Sequence, residues 1–124
     1  VESVNALAQL EEIAAVDGVD GVFFGPADLA ASMGMIGKPA DPAVKAAILQ
    51  GIAAVKRAGK VAATLTSDRG LARTYLDGGA QFVAVGVDTS ILVKAAKELA
   101  TQFKGAGQNS AQGAAGGGVG DGAY

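Results

Sequence analysis

Apolar residues recur along this chain in segments that alternate between extended and helical spacing. The residues from Val19 to Phe24 are mostly apolar, rich in β-branched and aromatic types, and bounded by glycines, which predicts a buried strand. The same pattern predicts strands at Lys60–Leu65 and Gln81–Val85. Apolar positions three and four residues apart predict helices in the other segments: Val4–Val16, a short one at Leu29–Met33, Asp41–Val55, Ser67–Leu76 and Asp88–Phe103.

Residues at the segment boundaries support these elements. Asp41 followed by Pro42 is typical of a helix start, because an acidic N-cap accepts a backbone hydrogen bond and proline fits the first helical position. Val1 and Glu2 suit the last residues of a further strand, so the predicted order is (β)αβαβαβα. The last helix should carry one apolar stripe, formed by Ile91, Leu92, Ala95, Ala96, Leu99 and Phe103. Lys94 and Lys97 of this helix should face solvent.

This alternation predicts an α/β fold in which helices cover a parallel sheet. An open doubly wound sheet and a (β/α) barrel both fit the pattern, and both bind ligands at the carboxyl ends of the strands. Polar or glycine-rich residues occur at those ends: Glu2, Gly25–Asp28, Thr64–Ser67 and Gly86–Asp88. A flavodoxin-like or response-regulator domain is disfavoured, because the chain lacks an acidic cluster after its first strand and a phosphate loop.

Composition limits the domain count and the function class. The chain has 124 residues, of which 50% are apolar, so we expect one folded domain over residues 1–103 and a flexible Gly/Ala-rich tail over residues 104–124. A net charge of −2 without a basic stripe argues against nucleic-acid binding, and no apolar run approaches the roughly 20 residues of a membrane span. The absence of cysteine fits a cytoplasmic protein. Because histidine is also absent, any catalysis must use carboxylates, lysines or residues outside this chain.

The motif Gly25-Pro26-Ala27-Asp28 carries the most specific chemistry. It brings a carboxylate and free backbone N–H groups to the exit of a strand, where a hard cation or an anion could bind. Asp28 alone could equally be a helix N-cap. Asp88 is more consistent with an N-cap than with a phosphate site, because its charge would repel phosphate. Lys38 and Lys60 are poor candidates for Schiff-base lysines, since one lies in a predicted loop and the other at the opposite end of its strand.

Two segments, residues 18–34 and 78–89, together with Val1-Glu2-Ser3, resemble the HpcH/HpaI family of metal-dependent pyruvate aldolases. The resemblance extends over nearly all of residues 1–103. It implies that this chain is the C-terminal half of a TIM (β/α)₈ barrel. It also implies a class II aldolase that cleaves 4-hydroxy-2-oxo acids to pyruvate and an aldehyde.

The resemblance further implies roles for individual residues. Glu2 and Asp28 match two carboxylate ligands of a divalent cation, Mg²⁺, Mn²⁺ or Co²⁺. Ala27 matches a position whose backbone contacts the substrate carboxylate, and Leu65 matches a position in the substrate pocket. The catalytic histidine and arginine of the family are expected upstream of Val1, so we expect the chain to be incomplete and inactive alone. The family also implies a homo-oligomer, a hexamer; the alternative is a non-catalytic half-barrel that self-associates.

Overall fold

The computed structural model describes residues 1–104, in which helices alternate with three parallel strands. The strands are β1 (Gly21–Phe24), β2 (Val61–Leu65) and β3 (Phe82–Ala84). The helices are α1 (Val4–Ala8), α2 (Leu10–Ala15), α3 (Pro26–Ser32), α4 (Pro42–Arg57), α5 (Arg69–Asp77) and α6 (Asp88–Lys104). The predicted parallel α/β architecture is therefore confirmed. The predicted tail falls almost entirely on residues 105–124, which lie outside the described residues.

The sheet has the order β1-β2-β3, with Phe23 opposite Ala63 and Ala63 opposite Phe82. The chain start pairs with β1 on its other side. The Val1 amino group donates to the Phe23 carbonyl at 2.6 Å, and the Gly25 N–H donates to the Val1 carbonyl at 3.2 Å. These two bonds are those of a parallel strand pair. Val1 thus occupies the place expected for the end of a further strand, although the paired segment is too short to be a strand itself.

The core lies between one face of the sheet and the helices. Phe24 is fully buried there together with Ile48 and Ile52 of α4. Gly51 allows this packing, because a β-carbon at Gly51 would lie 2.6 Å from Cε1 of the Phe24 ring. Thr64 is the buried polar residue of this core, and its hydroxyl donates to the Phe24 carbonyl at 3.1 Å. Backbone and side chain therefore both fix the end of β1 against β2.

Two helix predictions differ from the structure. The helix predicted over Val4–Val16 is divided at Gln9, whose backbone (φ −101°, ψ 14°) leaves the helical region. The resulting bend brings α2 against α4, where Leu10 is buried. The short helix predicted at Leu29–Met33 starts earlier, at Pro26, because proline needs no N–H partner at the first helical position.

The stripe predicted on the last helix does not pack within the described residues. α6 has no buried residue, and Ile91, Leu92, Leu99 and Phe103 are all more than half exposed. The spacing correctly predicts an amphipathic helix, but periodicity alone does not say what covers its apolar side. The sheet face opposite the core is also partly open, with Phe23 and Phe82 exposed and their rings 6.2 Å apart. No helix among residues 1–104 is long and apolar enough to cross a membrane.

Candidate functional site

A cavity of about 340 Å³ opens at the carboxyl ends of β1 and β2. Glu2, Ala27, Asp28 and Leu65, which come from three separate parts of the chain, all line this cavity. Its volume lies within the range of small-molecule sites, and ligands of parallel α/β folds bind at this end of the sheet. The structure therefore brings the four residues singled out from the sequence into one place, while their roles stay predictions.

Glu2 is held directly above Gly25. A β-carbon built on Gly25 would lie 2.5 Å from Oε1 and 2.7 Å from Cγ of Glu2, so only glycine leaves room for this carboxylate. Val1, the residue before Glu2, is fixed by its backbone hydrogen bonds to Phe23 and Gly25. The position of Glu2 is thus a direct consequence of strand pairing and of one missing side chain.

Asp28 lies in the first turn of α3, where its carboxylate does not act as the N-cap. Gly25 is the N-cap residue of this helix and makes no side-chain cap hydrogen bond. The interpretation of Asp28 as a simple cap is therefore wrong. Because Pro26 occupies the first helical position, the N–H groups of Ala27 and Asp28 belong to the first turn, which has no intrahelical acceptors.

Acidic side chains line the cavity, and no lysine or arginine side chain does. The one ion pair within residues 1–104 joins Arg57 to Glu11, so Glu2 and Asp28 have no cationic side chain as partner. The described residues also contain no group of three or more histidine, cysteine, aspartate or glutamate side chains placed to hold a metal. Two carboxylates are nevertheless enough for Mg²⁺ or Mn²⁺, which keep several positions for water or substrate oxygens. The donor set fits a hard divalent cation.

Other polar residues near the ends of the strands have structural roles. Asp68 lines the cavity but is the N-cap of α5, where its Oδ1 accepts from the Leu71 N–H at 2.7 Å. Asp88 lies in the first turn of α6 and accepts from the Thr89 N–H at 2.7 Å. The Lys60 ammonium group donates to the Val19 carbonyl at 2.6 Å, at the opposite end of the sheet from the cavity.

Sequence reasoning missed Tyr75, which is among the residues that line the cavity, as is Leu71. Tyr75 is fully buried, and within residues 1–104 its hydroxyl has no hydrogen-bond partner. Burial raises the pKa of Tyr75 from 10.0 to about 12, because the charged phenolate would lose its hydration. The signal that could have identified this residue is its spacing, since Leu71 and Tyr75 are four residues apart on one face of a predicted helix.

Comparisons with known proteins agree on one family. Residues 1–95 match the sequence profile of the family described as HpcH/HpaI aldolase/citrate lyase. The chain is 56% identical over 105 residues to a hydroxypyruvate/pyruvate aldolase of Pseudomonas aeruginosa, covering 85% of this chain and 39% of that protein. It is 50% identical over 103 residues to a 4-hydroxy-2-oxo-heptane-1,7-dioate aldolase of Salmonella arizonae, covering 83% of this chain and 39% of that protein.

Solved structures give the same result for the fold. A crystal structure of an HpcH/HpaI aldolase/citrate lyase family protein from Burkholderia cenocepacia J2315 superimposes with a TM-score of 0.77 at 37% identity. The match covers 85% of this chain and 41% of that one. The chain therefore spans about two fifths of the length of its relatives, and its three parallel strands with their helices form part of a TIM barrel.

The buried phenol makes a pH dependence testable. We expect the absorbance at 295 nm of a Tyr124→Phe variant to report ionisation of Tyr75 near pH 12. Because the pKa is raised in the folded state, the stabilisation is complete below pH 10 and is lost as the pH rises to about 12. Urea denaturation at several pH values should therefore show a falling free energy of unfolding in that window. Ionisation of Tyr75 near pH 10 in the folded variant would contradict the burial of its phenol group.

Proposed function

This chain belongs to the HpcH/HpaI aldolase/citrate lyase family, and from that premise we propose that its cavity is the pyruvate-binding part of a divalent-metal-dependent class II aldolase. The observation that carries the proposal is the convergence of Glu2, Asp28 and the first turn of α3 on one cavity. The reaction is the reversible cleavage of a 4-hydroxy-2-oxo acid to pyruvate and an aldehyde. The names of the similar aldolases, which act on oxo acids, support this substrate class.

The proposed chemistry follows from where the charges lie. Glu2 and Asp28 hold Mg²⁺, Mn²⁺ or Co²⁺, which when bound acts as a Lewis acid toward the 2-oxo group. The N–H groups of Ala27 and Asp28 orient the substrate carboxylate, and Pro26 fixes the turn that presents them. Leu65 and Phe23 form apolar walls that limit the water around the ligand. The cation held by the carboxylate pair thus recognises the 2-oxo group, and the backbone N–H groups recognise the carboxylate of the same small acid.

We expect the purified chain to bind Mn²⁺, and pyruvate to bind only when Mn²⁺ is present. Glu2→Gln and Asp28→Asn should each weaken Mn²⁺ binding by roughly tenfold or more, because each removes one anionic ligand of a hard cation. Isothermal titration calorimetry measures both steps. The matched control is Glu12→Gln, which neutralises an exposed carboxylate on α2 and should leave binding unchanged. Equal affinities for all four proteins would contradict the metal assignment.

We expect binding without turnover. The sequence contains no histidine, and Arg57, Arg69 and Arg73 do not line the cavity, so residues 1–124 supply neither an imidazole base nor an arginine to polarise the 2-oxo group. A coupled assay of pyruvate release from a 4-hydroxy-2-oxo acid should therefore remain at the background rate with Mn²⁺ present. Robust turnover by the isolated chain would show that these side chains are dispensable.

A second candidate function, a non-catalytic half-barrel that self-associates, is favoured by the uncovered apolar side chains. Large apolar side chains on the sheet and on α6 are between 42% and 85% exposed, and exposed apolar patches of this kind mark interaction surfaces. These side chains are Phe23, Phe82, Leu99 and Phe103. A second copy of the chain could cover them. A homo-oligomer of the family type, a hexamer, is the corresponding proposal for the complete enzyme.

Multi-angle light scattering tests self-association directly. We expect a mass above the 12.1 kDa of one chain and a shift toward that value for the double variant Leu99→Ser/Phe103→Ser, which removes two members of the α6 stripe. Lys94→Ser, on the same helix, serves as the control and should not change the mass. A folded wild-type monomer at high concentration would exclude this candidate.

A further inference from the structure

A second cavity, of about 790 Å³, is lined by residues of α5, of α6 and of the loop that joins β3 to α6. We call it the basic groove. Ser67 lines both the basic groove and the first cavity, which Glu2 and Asp28 also line, so the two cavities are neighbours. Apart from Ser67 they share no lining residue, and the groove therefore has a chemistry of its own.

The basic groove carries a surplus of positive charge. Arg69 and Arg73 of α5 and Lys94 of α6 line it, and Glu98 is its one carboxylate. Three positive charges against one negative charge leave a formal surplus of two. The first cavity has the opposite lining, with acidic side chains and without lysine or arginine. Neighbouring cavities of this chain thus favour ligands of opposite charge.

These positive charges have no partner within residues 1–104. The one ion pair in this part of the chain joins Arg57 to Glu11, and the cationic side chains that donate a hydrogen bond there are those of Arg57 and Lys60. Arg69 and Arg73 are four residues apart on α5, so their like charges lie on one face of the helix and repel each other. An anion bound beside both of them would replace this repulsion by attraction.

The basic groove also has an apolar part. Leu76, Val85 and Ile91 line it and are between 42% and 63% exposed. A small hydrophilic ion would leave these side chains in water, and an uncharged apolar ligand would leave the guanidinium groups without a partner. The volume lies within the range of small-molecule sites. The lining therefore suits a small molecule that has both an apolar body and an anionic group.

We propose that the basic groove is a binding site for a small molecule that carries a doubly negative group on an apolar body, of the phosphate-ester or dicarboxylate class. A double charge matches the surplus of two positive charges. The guanidinium groups of Arg69 and Arg73 present N–H donors in a fork that fits the oxygens of phosphate and carboxylate groups. This inference goes beyond the proposed function, because the site needs neither the divalent cation nor the residues of the first cavity.

Phenyl phosphate and phthalate are suitable probes, because each carries a double negative charge on an aromatic ring. We expect both to bind in ¹H–¹⁵N NMR titrations of the wild-type chain at low ionic strength, with EDTA present to keep divalent cations away from the first cavity. Phenyl phosphate should bind roughly threefold or more tightly than inorganic phosphate, because its ring covers apolar side chains. Benzyl alcohol, which has the ring without the charge, should not bind. The shifted amide signals should belong to residues 67–76 and 85–98.

Substitutions test the role of the charges. Arg69→Gln and Arg73→Gln should each weaken phenyl phosphate binding by roughly threefold to fivefold, the factor expected of an exposed ion pair. The triple variant Arg69→Gln/Arg73→Gln/Lys94→Gln should abolish it. Lys97→Gln is the matched control, because it removes a positive charge from α6 outside the basic groove. All four side chains are exposed, so the melting temperatures should stay close to that of the wild type.

The outcomes decide between ligand classes. Binding of phenyl phosphate alone or of phthalate alone would support the proposal and identify the source of the double charge. Equal binding of benzyl alcohol and phenyl phosphate, an unchanged affinity in the triple variant, or amide shifts confined to other parts of the chain would overturn it. Binding of a polyglutamate peptide without either small dianion would also overturn it, in favour of an acidic protein partner. Because these titrations contain no metal, their failure would leave the Mn²⁺-dependent binding of pyruvate unaffected.

Discussion

The parallel pairing of Val1 with β1 is the interaction on which the candidate site depends. Two backbone hydrogen bonds place the chain start beside Phe23 and Gly25, and Glu2 follows immediately above Gly25. On the other side of β1, the Thr64 hydroxyl holds the same strand end against β2. Because several strands end at one level, residues far apart in sequence reach one cavity. The site is therefore a property of strand register rather than of any single motif.

Most of the fold could be predicted from local sequence. Asp41 with Pro42 and the glycine-bounded strand at Phe24 gave correct elements, because these signals act within a few residues. The break at Gln9 could not be predicted, since it depends on the packing of α2 against α4. The partner of the α6 stripe could not be predicted either, because an amphipathic period shows that a helix has an apolar side without identifying what covers it.

The candidate site shows the same division. Glu2, Ala27, Asp28 and Leu65 could be named from their motifs and from the family resemblance, and they line one cavity. The spacing of Tyr75 from Leu71 could have placed it on the buried side of its helix, but the unpaired hydroxyl of Tyr75 could not be predicted, because only three-dimensional packing reveals it. Sequence motifs thus indicate the residues that carry charge at the strand ends. The neutral residues that shape the rest of the cavity have to be found from contacts.

Gly25 illustrates how a residue without functional groups can control the chemistry of a site. Any β-carbon at this position would displace the end of the Glu2 side chain, which is flexible and can turn toward solvent. Substitution would therefore remove a carboxylate from the cavity while leaving the core intact. Variants at Gly25 should therefore keep the stability and abundance of the original chain, and screens that select only for folded protein would not detect the displaced carboxylate.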